Sequence, residues 1–138
     1  MDQEYPSRLG VHHATLERLT HELRQLGWCE CDIFGIQMAI EESVSNAIRH
    51  GNGQDESKRV WFRCKINAEE LWAEVRDEGS GFNPNQMPDP TSPENLDAPS
   101  GRGLMLIRAY MSNVRYNDVG NCVTMTKYSS TASGDCRI

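Results

Sequence analysis

The stretch Asp32-Ile33-Phe34-Gly35-Ile36-Gln37-Met38-Ala39-Ile40-Glu41-Glu42-Ser43-Val44-Ser45-Asn46-Ala47-Ile48-Arg49-His50-Gly51-Asn52-Gly53 decides the fold. At ~100° per residue, Ile33, Ile36, Ile40, Val44 and Ala47 fall within roughly 80° of one another, so the stretch reads as a helix with one core-facing stripe. Asp32 is placed to cap its start, and Gly51-Asn52-Gly53 ends it near His50. Glu42 falls nearly opposite the stripe, and Asn46 follows on the same side one turn later. A solvated face explains such a row. So does chemistry, because a Glu and an Asn at i,i+4 present oxygens toward one point. That point suits a hard cation such as Mg²⁺ or a hydroxyl that needs a base.

Upstream, Leu16, Leu19, Leu23 and Leu26 repeat at spacings of three and four. They predict a first helix over about 12–26, with Gly27 where a C-terminal cap falls. Downstream, residues 59–67 and 70–77 alternate as a half-buried antiparallel pair around a turn at Ala68-Glu69. Residues 78–101 hold five of the six prolines and few large apolar groups, so they read as a long functional loop. A third helix is expected from about Gly103. Two strands follow, about 114–117 and 122–128, turning at Asp118-Val119-Gly120. Residues 129–138 read as a frayed tail. The order predicts one α+β domain over 1–138, a two-layer sandwich with its core at about 8–128. Its mixed, largely antiparallel sheet carries three helices on one face.

Composition sets limits. The chain has 138 residues, 14 Lys and Arg against 20 Asp and Glu, and a net charge of −6. One domain fits that length. The acidic balance argues against a nucleic-acid binder and against attraction to anionic lipid. No membrane span or signal peptide is read, so the expected location is the cytoplasm. Five cysteines without a secretory signal read as free thiols. His12, His13 and His21 read as exposed helix positions, with little to favour a metal there.

Two glycine-rich segments complete the pattern. Arg76-Asp77-Glu78-Gly79-Ser80-Gly81-Phe82 directly follows a strand. Its two glycines allow a sharp turn and close backbone approach. Asp77 is an acceptor suited to the exocyclic amine of a base. Ser100-Gly101-Arg102-Gly103-Leu104 opens the third helix with free backbone N–H groups, a ready anion site. No P-loop motif is present. Each segment alone is as well explained by a turn or a helix start.

Together, the Glu-x-x-x-Asn helix, the strand ending Asp-x-Gly-x-Gly and the Gly-x-Gly helix start resemble the GHKL (Bergerat) ATPase fold. Residues 42–51 are similar to the N box of the bacterial anti-sigma-factor serine/threonine kinases, and the two glycine segments to their glycine boxes. The resemblance covers about residues 8–128. It implies ATP and Mg²⁺ as cofactors, Asn46 as the Mg²⁺ ligand, and Glu42 as general base or as the group that positions the attacking hydroxyl. It implies that Asp77 binds the adenine amino group beside Gly79 and Gly81. Ser100, Gly101, Arg102, Gly103 and Leu104 would close on the phosphates, and Thr124 would support adenine through water. Arg49 and His50 would lie beside the site. From composition, residues 83–100 are rich in Pro, Asn and Asp with few groups that could pack, so they are expected to form a flexible lid, cleavable after Glu94 when no nucleotide is bound.

The chain departs from the family pattern in three places. The usual first strand is expected to be either missing or reduced to Gln3–Arg8. Residues 77–101 contain no Lys or Arg, and Pro99 stands where kinases of this type often carry a basic residue. Glu41 adds a second carboxylate beside Glu42. The resemblance implies a kinase and anti-sigma factor, with a sigma factor and a STAS-domain anti-anti-sigma protein as partners and a homodimer left open. A nucleotide-gated binding module with little transferase activity is the alternative. A histidine-kinase catalytic fragment is a third, weaker one.

Overall fold

A computed structural model describes residues 1–79 and 107–130. Five strands form one sheet: β1 (Asp2–Pro6), β2 (Arg59–Ile66), β3 (Glu70–Arg76), β4 (Asn113–Tyr116) and β5 (Cys122–Tyr128). Their spatial order is β1-β2-β3-β5-β4. Every pairing is antiparallel, so the described sheet is antiparallel throughout rather than mixed. The first strand is present at Asp2–Pro6. It forms one edge of the sheet, pairing with β2 alone, with Tyr5 opposite Val60 and buried.

Strand alternation gives the sheet two unlike faces. Val60, Phe62 and Cys64 of β2, Leu71, Ala73 and Val75 of β3, and Val123 and Met125 of β5 are buried. The opposite face carries Trp61, Arg63, Lys65, Trp72, Glu74, Arg76, Thr124 and Thr126.

Helices α1 (His13–Gln25) and α2 (Glu30–Asn46) pack into one core with the apolar sheet face. Leu16, Leu19 and Leu23 of α1 are buried, and so is the whole predicted stripe of α2 and its continuation, Ile33 to Ala47. Leu26 leaves its expected stripe because the helix ends there, and it is 40% exposed. Trp28 fills the corner, its indole Nε1–H donating to the Asn67 carbonyl at 2.8 Å. Residues 107–110 are helical, and Ile107 and Met111 join the core.

Several expectations change. Asp32 does not cap α2, since Cys29 holds the N-cap position. Asp32 lies buried in the first turn and accepts hydrogen bonds from Ser130 N–H (2.7 Å) and Ser130 Oγ (2.9 Å). Those bonds, and Ser129 N–H donating to the Glu69 carbonyl, hold 129–130 in place rather than frayed. His12 is buried, not exposed, because Nε2 is hydrogen-bonded to the Glu41 carboxylate. Cys31, Cys64 and Cys122 are free thiols, whereas Cys29 is disulfide-bonded. The Glu94 cleavage site and the lid at 83–100 lie outside the described residues. No helix among the described residues is long and apolar enough to cross a membrane.

Candidate functional site

The C-terminal end of α2 does not stop as a simple α-helix. Residues Ala47–Gly51 widen into a π-helical turn, closed by Asn52 N–H donating to the Ala47 carbonyl at 2.8 Å. Such widened turns are common at functional sites, because they add a residue without breaking the helix. This one brings Gly51 against the end of β3, where Asp77 emerges.

One cavity lies at this junction. Asn46, His50 and Gly51 line it from the helix side, Val75 and Asp77 from β3, and Tyr116, Asn121 and Val123 from β4, β5 and their connection. Ser43, Ala47, Ile107 and Gly120 complete it. Two residues expected at the site, Asn46 and Asp77, thus share one cavity although they come from different layers. Asn46 is half-buried, and its amide makes no hydrogen bond among the described residues. An oxygen ligand for a cation is therefore available there, which fits the Mg²⁺ role the resemblance implies.

Asp77 is almost fully buried. Its Oδ1 accepts from Gly79 N–H at 2.7 Å, and its own N–H donates to the Asn121 carbonyl at 2.9 Å. Burial raises its carboxyl pKa above the ordinary value, while the Gly79 hydrogen bond and the charge of Lys58 pull it back down. The glycines follow from crowding. A β-carbon on Gly79 would stand 2.0 Å from the Gly51 carbonyl oxygen. Only glycine fits that approach.

Asn52 organises the surroundings. Its buried amide donates to Ser7 Oγ (2.8 Å) and to the Arg59 carbonyl (2.9 Å), and its Oδ1 accepts from Glu78 N–H (2.8 Å). The segment after Asp77 is thereby tied to the start of β2 and to the chain after β1. On the far wall, burial pushes the Tyr116 hydroxyl up to about 12.

The other expected residues fall as follows. Glu42 lies one turn before Asn46, half-buried, and does not line the cavity. Arg49 is exposed and also outside the lining. Thr124 is on the wrong face. Its neighbours Val123 and Met125 point into the core, so alternation turns Thr124 away from the cavity. The polar side chain near that strand that does reach the cavity is Asn121. Its Nδ2 also donates to the Gly79 carbonyl at 3.4 Å. Counting back two from Val123 finds it in the sequence. Gly81, Ser100, Gly101, Arg102, Gly103 and Leu104 lie outside the described residues.

This architecture belongs to a known class. Residues 5–127 match the histidine kinase-like ATPase domain family, and the chain belongs to that family. Within it, the chain is 29% identical over 130 residues to serine-protein kinase RsbW of Bacillus subtilis, covering 89% of this chain and 79% of that protein. It is 32% identical over 106 residues to the anti-sigma F factor of Clostridium perfringens, covering 72% of this chain and 75% of the relative. The fold is shared with the crystal structure of the RsbU and RsbW domains of Rv1364c from Mycobacterium tuberculosis. That match has a TM-score of 0.60 at 21% identity and covers 94% of this chain and 31% of the other. The histidine kinase domain of a blue-light activated histidine kinase from Erythrobacter litoralis gives a TM-score of 0.55 at 19% identity, covering 96% of this chain and 66% of the other.

Proposed function

We propose that this chain is an ATP-dependent serine/threonine protein kinase that also acts as an anti-sigma factor. It phosphorylates a STAS-domain anti-anti-sigma protein and, when that antagonist is modified, holds a sigma factor in the cytoplasm. The observation that carries this reading is the shared cavity of Asn46 and Asp77 in a chain whose relatives are named serine-protein kinase RsbW and anti-sigma F factor. Asp77 accepts the adenine amino group. Asn46 Oδ1 would be the chain's ligand for a Mg²⁺ ion. When bound, that ion neutralises charge on the triphosphate. Glu42 orients the partner's serine or threonine hydroxyl and takes its proton.

A specific observation favours a second reading, a nucleotide-gated binding module. Residues 77–101 supply no Lys or Arg to the phosphates, so cationic help from the chain rests on Arg102. Labelled ATP, Mg²⁺ and the STAS antagonist separate the two. Transfer of label to the antagonist supports the kinase. Tight nucleotide binding and sigma-factor capture without transfer would leave the binding module.

A further inference from the structure

We infer that His12, His13 and Glu41 form a binding site for a divalent transition ion, with Zn²⁺ the ion that suits two imidazoles and a carboxylate. One ring nitrogen of each histidine and a Glu41 carboxylate oxygen all lie within 4.8 Å of one another. They come from distant parts of the chain, His12 and His13 at the start of α1 and Glu41 in the middle of α2. The packing of the two helices brings them together. No other such cluster of three occurs among the described residues.

The geometry is close to what an ion requires. His12 Nε2 is hydrogen-bonded to Glu41, and His13 Nε2 stands 3.8 Å from Glu41 Oε2. With Zn–N near 2.0–2.1 Å, ligand atoms around a tetrahedral ion sit roughly 3.4 Å apart. The His13–Glu41 separation is within about half an ångström of that spacing, while the His12–Glu41 hydrogen bond would have to open to admit an ion. His12 is fixed by burial, whereas the side chains of His13 and Glu41 are 65% and 37% exposed and free to adjust. The ring planes of the two histidines are already tilted by 60° rather than stacked. Two neutral imidazoles and one carboxylate are the donor types a Zn²⁺ ion prefers, and the solvent side leaves a fourth position for water.

The site is separate from the nucleotide cavity, because none of its three residues lines that cavity. Its strength is limited by one feature. His12 Nδ1 is buried and has no hydrogen-bond partner among the described residues. An ion on Nε2 puts the ring proton on Nδ1, where it finds no acceptor. Losing such a supporting bond costs about 10–100-fold in affinity. The site is therefore weaker than a structural zinc centre with satisfied imidazoles.

The test is Zn²⁺ titration of the full chain by calorimetry, without nucleotide, together with imidazole ¹⁵N spectra. One equivalent should bind, and the ring signals of His12 and His13 should shift. His13→Ala and Glu41→Gln change half-exposed groups and should stay folded, as circular dichroism checks. Each should weaken binding by about tenfold or more, since a lost ligand costs at least as much as a lost supporting bond. Cys31→Ser should leave the affinity unchanged. Absence of binding, unshifted rings, equal affinity in His13→Ala and Glu41→Gln, or loss of binding in Cys31→Ser would each overturn the assignment.

Discussion

A β-carbon on Gly51 would lie 2.2 Å from Asp77 Oδ2, so the helix end and the carboxylate fit together only because residue 51 has no side chain. Gly51→Ala must therefore push Asp77 or the π-helical turn aside. Overpacking of this kind costs about 1–3 kcal/mol, or roughly 3–10 °C in Tm at this chain length. Nucleotide affinity should fall at least about tenfold, equivalent to ~1.4 kcal/mol, because the displaced group is the one proposed to meet the base. Thermal melts and nucleotide titration check both effects. Wild-type melting and affinity in Gly51→Ala would show that the close contact constrains nothing.

Asp77 also gives a pH dependence. Burial raises its pKa in the folded chain. The folded state therefore favours the protonated carboxyl. The stabilisation is full below the unfolded pKa and is lost as pH rises through the raised folded pKa. Nucleotide binding runs the other way, because only the ionised carboxylate is purely an acceptor for the adenine amine. Adenine affinity should weaken on acidification, starting above the ordinary carboxyl value of 3.8. Asp77→Asn should lose this step and erode the preference for ATP over GTP. It should remain folded, since an amide oxygen still accepts from Gly79 N–H. Equal affinity of the wild type for ATP and GTP would contradict the role.

Binding and chemistry separate along α2. Asn46→Ala should abolish Mg-ATP binding and leave the fold intact, because Asn46 faces the cavity and makes no hydrogen bond among the described residues that would be lost. Calorimetry on the folded variant decides this, and unchanged affinity would remove Asn46 from the site.

Glu42→Gln keeps size and polarity but cannot take a proton. Nucleotide affinity should hardly change, since Glu42 does not line the cavity. Phosphate transfer to the antagonist should slow by about 10²–10⁴-fold, the usual cost of losing a general base. Transfer at the wild-type rate would show that another group does this work.

Some of this was legible in the sequence and some was not, for identifiable reasons. The α2 stripe from Ile33 to Ala47 and the alternation of β2, β3 and β5 could be read directly, because burial imposes a period and the chain repeats it. Asn46 and Asp77 could be read because their residue types sit in local motifs. The π-helical turn at Ala47–Gly51 leaves no such mark, since an i→i+5 bond demands no particular residue. His12 looked exposed because its partner, Glu41, lies 29 positions along the chain. Thr124 enters only through the family resemblance, and the parity of Val123 and Met125 already excludes it from the core face. Asn52 was read only as part of a helix stop, because its three partners come from three separate segments.

Asn52 is the strongest stability test of the site's frame. It donates to Ser7 Oγ and the Arg59 carbonyl and accepts from Glu78 N–H, all at 2.8–2.9 Å, and it is 3% exposed. Asn52→Ala leaves those partners short of a hydrogen bond in a place water reaches poorly. Each buried bond contributes about 1 kcal/mol, and an orphaned polar group costs more, so a loss of about 2–4 kcal/mol is expected. Asn52→Asp should be no better. It keeps the acceptor for Glu78 N–H but turns a carboxylate oxygen toward the Arg59 carbonyl, which has no proton to give. Urea denaturation measures the loss as a lower midpoint at unchanged slope. Nucleotide affinity in the folded fraction should fall as well, because Glu78 adjoins Asp77 and its backbone is held by Asn52. A midpoint shift worth less than about 0.5 kcal/mol, the range of ordinary surface substitutions, would mean that the segment after Asp77 is held by other contacts.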